Sequence, residues 1–356
     1  MPPDPIKGRG AVSRPPGRFA AATVEPVVDE STAGDDPQPP QTELRAMQAR
    51  QIVSRNNSPD IPFDQSINPY QGCEHGCVYC YARPSHSYLD LSPGLDFETR
   101  IFYKPNAVAA LLETWSKPGY ECRPISIGAN TDPYQPAEKS LGITRGLLEP
   151  FLEYRHPVSL ITKGTLVARD LDLLGALAAE RLASVAVSIP TADSALKRIM
   201  EPRVPSAEAR LRVVRQLADA GIPVSVMMAP IIPAVNDCEI ESIVERAAAA
   251  GATQARWILL RLPHEVKEIF KDWLAEHLPE RAAHVMSLVR QASGGREYDN
   301  RFGVRQRGTG PYAAMIAKRF AAACRRHGLL RDDPRRTLDC SRFRKPGQRQ
   351  MAFDLG

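Results

Sequence analysis

The sequence predicts an α/β fold, a partial (βα)6 TIM-like barrel, and three observations support it. From about residue 66 onward, short runs of β character alternate with longer segments of helical period. The strand segments are nearly continuous apolar runs, which is typical of a parallel sheet covered by helices. Six consecutive βα units favour a barrel or partial barrel. A doubly wound sheet is the alternative, but it needs a glycine-rich phosphate turn after an early strand, and this sequence has none there.

The predicted elements follow one another in simple alternation. The spacing of Leu171, Leu174 and Leu177 shows how the helices gain one apolar face. The six predicted strands are residues 66–71, 124–129, 158–162, 184–189, 223–229 and 256–260. The predicted helices are residues 106–116, 144–154, 169–180, 206–220, 238–250 and 265–276.

Composition excludes several classes of protein. The chain has 356 residues, of which 43% are hydrophobic and 24% charged, as in an ordinary soluble enzyme. No apolar run approaches the ~18 residues of a membrane span, and no basic and apolar leader opens the chain. Seven cysteines, an odd number without a secretory leader, argue against a disulfide framework. We therefore expect a cytoplasmic protein with no membrane partner.

Three cysteines follow the first predicted strand at the spacing Cys-x3-Cys-x2-Cys. Cys73, Cys77 and Cys80 lie on a short stretch with Gly72 and Gly76, which lets the backbone fold around a compact object. Three thiolates can hold three irons of a four-iron cluster and leave the fourth iron open. A zinc knuckle is the alternative, and it needs a fourth ligand from elsewhere.

This cysteine motif, placed after strand one of a βα series, resembles that of the radical S-adenosylmethionine (SAM) superfamily. Within it, further segments are similar to the spore photoproduct lyase and DNA-repair-photolyase-like branch, in particular to an uncharacterised bacterial subgroup. These segments begin at Asn68-Pro69-Tyr70, Asn130-Thr131-Asp132, Thr162-Lys163-Gly164, Met200-Glu201-Pro202, Ala229-Pro230-Ile231 and Leu259-Leu260-Arg261. The resemblance implies a radical SAM barrel that carries a [4Fe-4S] cluster, with S-adenosyl-L-methionine as second cofactor.

The resemblance also implies site residues, most of which follow predicted strands, where a barrel places its active site. Cys73, Cys77 and Cys80 would hold the cluster, and Tyr79 and Tyr81, which flank Cys80, are catalytic candidates for radical relay. The residues expected to contact SAM are Asn130, Thr131, Asp132, Lys163, Ser188, Pro230, Ile231 and Ile232, together with the backbone of Tyr79. Of these, Lys163 would bind the methionyl carboxylate, and Pro230, Ile231 and Ile232 would pack on adenine.

Around this core, residues 59–300, we expect two appendages. Residues 1–45 are rich in proline and carry one aromatic residue, so we predict a disordered tail. Residues 301–356 form a basic extension with a predicted helix from Pro311 to about Ala323. The net charge of the chain is +5, but residues 296–349 alone carry a surplus of +10. Such a region is typical either of a surface that binds nucleic acid or of a solvated tail.

The implied function is reductive cleavage of SAM to a 5′-deoxyadenosyl radical, which acts on a substrate at the barrel mouth. The resemblance and the basic extension favour nucleic acid as that substrate. Modification of a protein or small metabolite is a second hypothesis, and a non-catalytic iron–sulfur protein that binds nucleic acid is a third. Because the sequence shows no second cluster motif, we expect an external one-electron donor of the flavodoxin or ferredoxin type.

Overall fold

The computed structural model describes residues 8–20, 40–329 and 337–347. The strands of this part are β1 (Glu43–Ala46), β2 (Val53–Arg55), β3 (Gln65–Ile67), β4 (Tyr70–Gln71), β5 (Arg100–Tyr103), β6 (Ile125–Ile127), β7 (Val158–Thr162), β8 (Ala183–Ser188), β9 (Val224–Ile231) and β10 (Gln254–Leu259). The helices are α1 (Asp96–Thr99), α2 (Ala107–Ser116), α3 (Glu138–Leu141), α4 (Ile143–Glu153), α5 (Leu171–Ala179), α6 (Ser194–Met200), α7 (Ala207–Asp219), α8 (Ile240–Ala249), α9 (Val266–His277), α10 (Pro279–Ala292) and α11 (Gly310–Arg326).

One sheet of seven strands organises the molecule, in the order β10-β9-β8-β7-β6-β3-β2. Six of its strands run parallel, namely β3, β6, β7, β8, β9 and β10. The seventh, β2, pairs antiparallel with β3 at the edge. Helices alternate with these strands along the chain, which confirms the predicted α/β fold of six βα units. All carboxyl ends of the parallel strands therefore meet at one edge of the sheet, where a barrel builds its site.

The first predicted strand is wrong in one respect, because residues 66–71 divide between two sheets. β3 belongs to the large sheet, whereas β4 pairs with β5 in a small sheet of the order β1-β5-β4. The break falls at Pro69, which has no amide hydrogen to donate to a ladder. Its carbonyl instead accepts a hydrogen bond of 3.1 Å from the amide of Lys104. The chain thereby leaves the barrel sheet immediately before the cysteines.

The core lies between the sheet and the helices that cover it. On α4, Leu147, Leu148 and Phe151 are fully buried and face the strands, at the spacing of one helical face. Burying one such side chain contributes about 1.5–3 kcal/mol. Ile316 and Phe320 of α11 belong to the same core. The predicted helix after Pro311 is thus present and packed on the barrel, while the boundary at residue 300 stays a prediction.

A segment without strand structure links the two edges of the large sheet. This bridging segment, residues 301–308, accepts a hydrogen bond of 2.8 Å at the carbonyl of Gln306 from the amide of Leu259 in β10. At its other side, Gly303 N and Arg305 Nε donate to the carboxylate of Asp60, which lies in the connection after β2. The bridging segment therefore spans the gap that the sheet leaves between β10 and β2.

The prediction of a disordered tail is wrong for residues 8–20, which we call the N-terminal segment, and for residues 40–45. β1 pairs in parallel with β5, and Ala11 is buried in a hydrophobic cluster with Val78 and Tyr79. Composition could not predict this docking, because the segment binds the cysteine loop largely through backbone amides, which every residue except proline has. Residues 1–7 and 21–39 of the predicted tail lie outside the described residues.

The described end of the basic extension, residues 337–347, is called the C-terminal segment here. It packs on the connections that lead into β6, β7 and β8, at the amino ends of the strands. Asp339 N donates to Arg181 O at 3.0 Å and Arg344 N to Tyr154 O at 2.8 Å. The side chain of Phe343 contacts Trp115 and His156. In the described part of the chain, no helix has the length and apolar character of a membrane span.

Candidate active site

The cysteine loop, residues 72–81, follows β4 and is folded tightly. Gly76 has a φ of +66°, and a Cβ there would approach Glu98 Oε2 to 2.6 Å, so that only glycine fits. The amide of Cys73 donates to Phe97 O at 2.9 Å, and the amide of Cys80 donates to Cys77 O at 3.2 Å. These constraints direct the three predicted cluster cysteines into one cavity.

A buried ion pair supports this loop from below. Arg83 and Glu98 are both fully buried, and Arg83 NH2 lies 2.5 Å from Glu98 Oε1. The same guanidinium donates to Cys77 O at 2.9 Å and to Gly76 O at 3.2 Å. The hydrogen bonds from buried Arg83 thus hold these loop carbonyls in place, and Glu98 balances the charge of the arginine.

The N-terminal segment completes the coordination of Glu98. Gly10 N donates to Oε2 at 3.0 Å and Ala11 N donates to Oε1 at 2.8 Å. A Cβ on Gly10 would lie 1.7 Å from Gly76 O, so the two backbones are in direct contact. The segment is therefore packed against the cysteine loop itself, a role that no side-chain pattern in the sequence indicated.

The cavity has a volume of about 170 Å³ and lies at the carboxyl ends of the parallel strands. It brings together most of the residues that the sequence predicted for one site. Those residues are Cys73, Cys77, Cys80, Tyr79, Tyr81, Asn130, Thr131, Asp132, Lys163, Ser188 and Pro230. Further lining residues that the sequence reasoning did not single out for this site include Gly128, Ala129, Met227, Ile258 and Arg261.

Two predicted residues do not line the cavity. Ile231 is fully buried in the main core at the end of β9, and Ile232 is fully buried in the cluster that includes Cys77 and Val78. The backbone explains the difference, because Ile232 N donates to Asn236 Oδ1 at 2.7 Å and the chain turns there. Pro230 alone of this trio presents a surface to the cavity.

Asp132 ties the end of β7 to the cysteine loop. Its carboxylate accepts hydrogen bonds from Thr162 Oγ1 at 2.6 Å and from the amide of Lys163 at 2.7 Å. His75 Nδ1 of the cysteine loop lies 3.2 Å from the carboxylate. Burial raises the pKa of Asp132, but His75 and these hydrogen bonds outweigh burial and hold it at about 2. Most of the hydrogen-bonding capacity of the Asp132 carboxylate is thus used by groups of the protein itself.

The neighbours of Asp132 are also held by the loop connections. Thr131 Oγ1 donates to Gly72 O at 2.7 Å, and the amide of Asn130 donates to Asn68 Oδ1 at 2.7 Å. These bonds fix the chain after β6 against the start of the cysteine loop. Contact of either side chain with SAM stays a prediction.

Lys163 is the lysine that lines the cavity, and its ammonium group is not neutralised by a direct ion pair in the described part of the chain. Its Nζ lies 5.7 Å from the ring centroid of Tyr79. Burial lowers the pKa of Lys163, but its electrostatic interactions with the acidic groups of Cys77, Glu201 and Cys80 outweigh burial and raise it. The cavity therefore holds a cation beside the thiols, as the predicted carboxylate contact requires.

A buried polar chain connects Tyr79 to the end of β8. The hydroxyl of Tyr79 donates to Glu201 Oε1, and Arg210 NH2 lies 2.9 Å from Glu201 Oε2. Arg210 NH1 then donates to Ser188 O at 2.7 Å. Sequence reasoning missed this pairing, although Glu201 belongs to one of the quoted motif segments. The chain fixes the Tyr79 ring and the Ser188 backbone at the same cavity.

Tyr81 lines the cavity and is 45% exposed. Its hydroxyl donates to Ala129 O, and the guanidinium carbon of Arg261 lies 4.9 Å from its ring centroid. Tyr79 and Tyr81 therefore differ, since one is buried against Glu201 and the other reaches the mouth of the cavity. Their radical roles stay predictions.

The zinc alternative needs a fourth ligand besides Cys73, Cys77 and Cys80. The one histidine inside the loop, His75, faces Asp132 at 3.2 Å. A four-iron cluster, by contrast, is held by three thiolates around a larger inorganic core.

A scan against protein-family models decides the family. The model of the Radical SAM superfamily matches residues 67–247, about half of the chain. This chain belongs to the radical SAM superfamily. The matched region begins at the end of β3, includes the cysteine loop, and ends within α8.

Relatives of this radical SAM protein occur in bacteria, in archaea and in a virus, the Acidianus two-tailed virus. An uncharacterized protein of Mycobacterium tuberculosis is 37% identical over 237 residues, which cover 66% of this chain and 70% of the relative. An uncharacterized protein of Methanocaldococcus jannaschii is 27% identical over 238 residues, which cover 67% of this chain and 85% of the relative.

Among solved structures, spore photoproduct lyase has a similar fold. A mutant of that enzyme with bound AdoMet and dinucleoside spore photoproduct matches with a TM-score of 0.57 at 17% identity. The match covers 81% of this chain and 79% of that chain. At this identity the similarity shows the fold, and it extends well beyond the region matched by the family model.

The residues present fit the cofactors of the superfamily. Cys73, Cys77 and Cys80 supply three soft sulfur ligands to the lining of the cavity, and Lys163 supplies a cation to the same lining. Burial raises the pKa of the Cys73 and Cys77 thiols, so these sulfurs become stable thiolates only when a cation such as iron compensates their charge.

Proposed function

We propose that this protein is a radical SAM enzyme whose cavity holds both cofactors and presents a substrate to them. The observation that carries the proposal is the joint placement of three cysteines and Lys163 at the carboxyl ends of parallel strands. When bound, the cluster and SAM supply reductive cleavage of the sulfonium and a 5′-deoxyadenosyl radical. This chain must hold both cofactors, exclude water and orient the substrate.

The residues divide these tasks. Cys73, Cys77 and Cys80 would hold the cluster and leave one iron without a protein ligand. Lys163 would pair with the methionyl carboxylate, because its charge is maintained and no described carboxylate is bonded to it. The Tyr79–Glu201–Arg210 chain keeps the ring of Tyr79 in a fixed position beside this pocket.

We also propose that the substrate is a nucleic acid. The fold similarity to spore photoproduct lyase supports this substrate class, since that enzyme was solved with a dinucleoside spore photoproduct. The C-terminal segment supports it less than the sequence suggested, because it lies at the amino ends of the strands, opposite the cavity. An external flavodoxin or ferredoxin type donor would supply the electron.

The first test separates cofactor chemistry from substrate chemistry. Anaerobically reconstituted protein should hold about four irons and four sulfides, and dithionite with SAM should yield 5′-deoxyadenosine. Cys77→Ala should lose the cluster and this product. Stoichiometric zinc in place of iron, or a reduced holoprotein that leaves SAM intact, would refute the proposal.

The second test concerns Lys163. A charge-assisted hydrogen bond is worth about 1.5–3 kcal/mol, so Lys163→Met should bind SAM roughly 10- to 150-fold more weakly at unchanged cluster content. SAM titrations followed by the cluster spectrum measure this, and Lys117→Met, an exposed lysine at the opposite end of the barrel, is the matched control. Equal affinity of wild type and Lys163→Met would place the carboxylate elsewhere.

A further inference from the structure

Arg261 introduces a second positive charge into the cavity, and the proposed handling of SAM leaves it unused. It follows β10, after Leu259 and Leu260, and lines the cavity beside Tyr81. In the sheet, β8 and β9 separate β10 from β7, the strand that precedes Lys163. The two cations therefore approach the cavity from different strands.

Each cation lies against a different tyrosine. Lys163 Nζ is 5.7 Å from the ring centroid of Tyr79, whereas the guanidinium carbon of Arg261 is 4.9 Å from that of Tyr81. Tyr79 and Tyr81 flank Cys80 in the sequence, so each cation lies against a tyrosine that neighbours a predicted cluster ligand. The methionyl carboxylate of SAM carries one negative charge, and the proposed pair with Lys163 uses it.

The guanidinium of Arg261 is poorly satisfied by the described residues. Its Nε is buried without a hydrogen-bond acceptor, and NH2 makes one long bond of 3.4 Å to the hydroxyl of Tyr298. The Asp60 carboxylate is within electrostatic range, but it accepts bonds from Gly303 N at 2.7 Å and Arg305 Nε at 2.5 Å. An uncompensated charge in a partly buried site is costly unless a ligand meets it.

The other arginines near this end of the sheet are already committed. Arg305 is paired with Asp60, and Arg307 NH1 donates to Trp257 O at 3.1 Å while its guanidinium lies over the Trp257 ring. Arg301 forms an ion pair of 2.6 Å with Asp299. Arg261 therefore differs from the arginines of the bridging segment, which stabilise the fold.

We propose that Arg261 binds a backbone phosphate of the nucleic-acid substrate at the mouth of the cavity. The Tyr81 ring holds the guanidinium through a cation–π contact of 4.9 Å, and the planar fork of N–H donors matches two oxygens of a phosphodiester. Such a contact positions the strand without reading its sequence. The inference rests on the proposed function, because it requires a substrate that carries phosphodiesters.

The test uses reconstituted holoprotein with SAM and a fluorescein-labelled single-stranded oligodeoxynucleotide, followed by anisotropy. A second oligonucleotide of the same sequence carries uncharged methylphosphonate linkages. Arg261→Met should weaken binding of the phosphodiester strand roughly 10- to 100-fold and leave methylphosphonate binding unchanged. The slope of log affinity against log salt should fall by about 0.7, the value for one phosphate contact.

Two further variants make the result decisive. Arg342→Met removes an exposed arginine of the C-terminal segment and should bind both strands as wild type does. Arg261→Lys keeps the charge and loses the planar fork, so its affinity should lie between those of wild type and Arg261→Met. Iron content and thermal unfolding show whether each variant is folded.

Several outcomes would overturn the assignment. They are equal affinity of wild type and Arg261→Met for the phosphodiester strand, equal affinity of wild type for both strands, and no binding of either strand. The proposed function is judged separately, by 5′-deoxyadenosine formation in the wild-type protein without any oligonucleotide. A wild type that cleaves SAM but does not discriminate between the strands refutes the phosphate contact alone.

Discussion

The N-terminal and C-terminal segments are both short, both peripheral by sequence, and anchored in different ways at opposite ends of the barrel. The N-terminal segment donates the amides of Gly10 and Ala11 to a fully buried carboxylate beneath the cysteine loop. The C-terminal segment places Phe343 against aromatic rings and Arg342 against the surface residue Glu180. The N-terminal segment therefore lies at the end of the barrel that carries the cavity, and the C-terminal segment lies at the other end. Which segment belongs to the site follows from this position and not from amino-acid composition.

The largest effect should come from the anchor of the N-terminal segment. Glu98→Ala leaves the fully buried Arg83 without its counter-charge, which should lower the free energy of unfolding by about 3–5 kcal/mol. Urea denaturation measures the loss. The matched control is Glu180→Ala, which removes the partner of Arg342 on the surface and should cost less than about 1 kcal/mol. Similar losses for both variants would erase the distinction between the two anchors.

A subtler change should move the N-terminal segment alone. In Gly10→Ala the new Cβ would meet Gly76 O at 1.7 Å, so the two backbones must separate. We expect a loss of about 1–3 kcal/mol in stability and faster bleaching of the cluster in air. Gly119→Ala, where no atom lies within 4 Å of the new Cβ, is the control. A Gly10→Ala cluster as durable as that of wild type would show that the segment does not shield the loop.

The smallest effect should come from the C-terminal segment. Phe343 is half-buried, and its ring lies 5.0 Å from that of His156 and 5.7 Å from that of Trp115. Phe343→Ala should therefore cost about 1–2 kcal/mol of stability, less than a fully buried phenylalanine. Iron content and SAM affinity should equal those of wild type. A lower SAM affinity would mean that the two ends of the barrel are coupled.

Much of the fold was predictable because strand and helix periodicity is a local property of the chain. The apolar runs at β7, β8 and β9 predict buried parallel strands, and the cysteine spacing predicts the loop that follows the first strand. The position of residues at the ends of those strands, such as Lys163 and Ser188, was predictable in the same way, since a barrel collects its strand ends at one edge.

The remaining features depend on long-range pairing that leaves no periodic pattern. Glu201 and Arg210 look like surface charges in a polar stretch, yet both are fully buried and paired. Ile231 and Ile232 continue an apolar run toward the cavity, but the core takes both side chains. The N-terminal segment docks largely through backbone amides, and an amide is the same for every residue except proline.

The contact between the N-terminal segment and Glu98 also has a consequence for the order of folding. Gly10 and Ala11 are synthesised before their acceptor Glu98, which follows them by 88 and 87 residues. Glu98 in turn needs Arg83 beside it to be a stable buried anion. The N-terminal segment thus cannot dock before Glu98 and Arg83 are in place, and until it docks the cysteine loop lacks this covering.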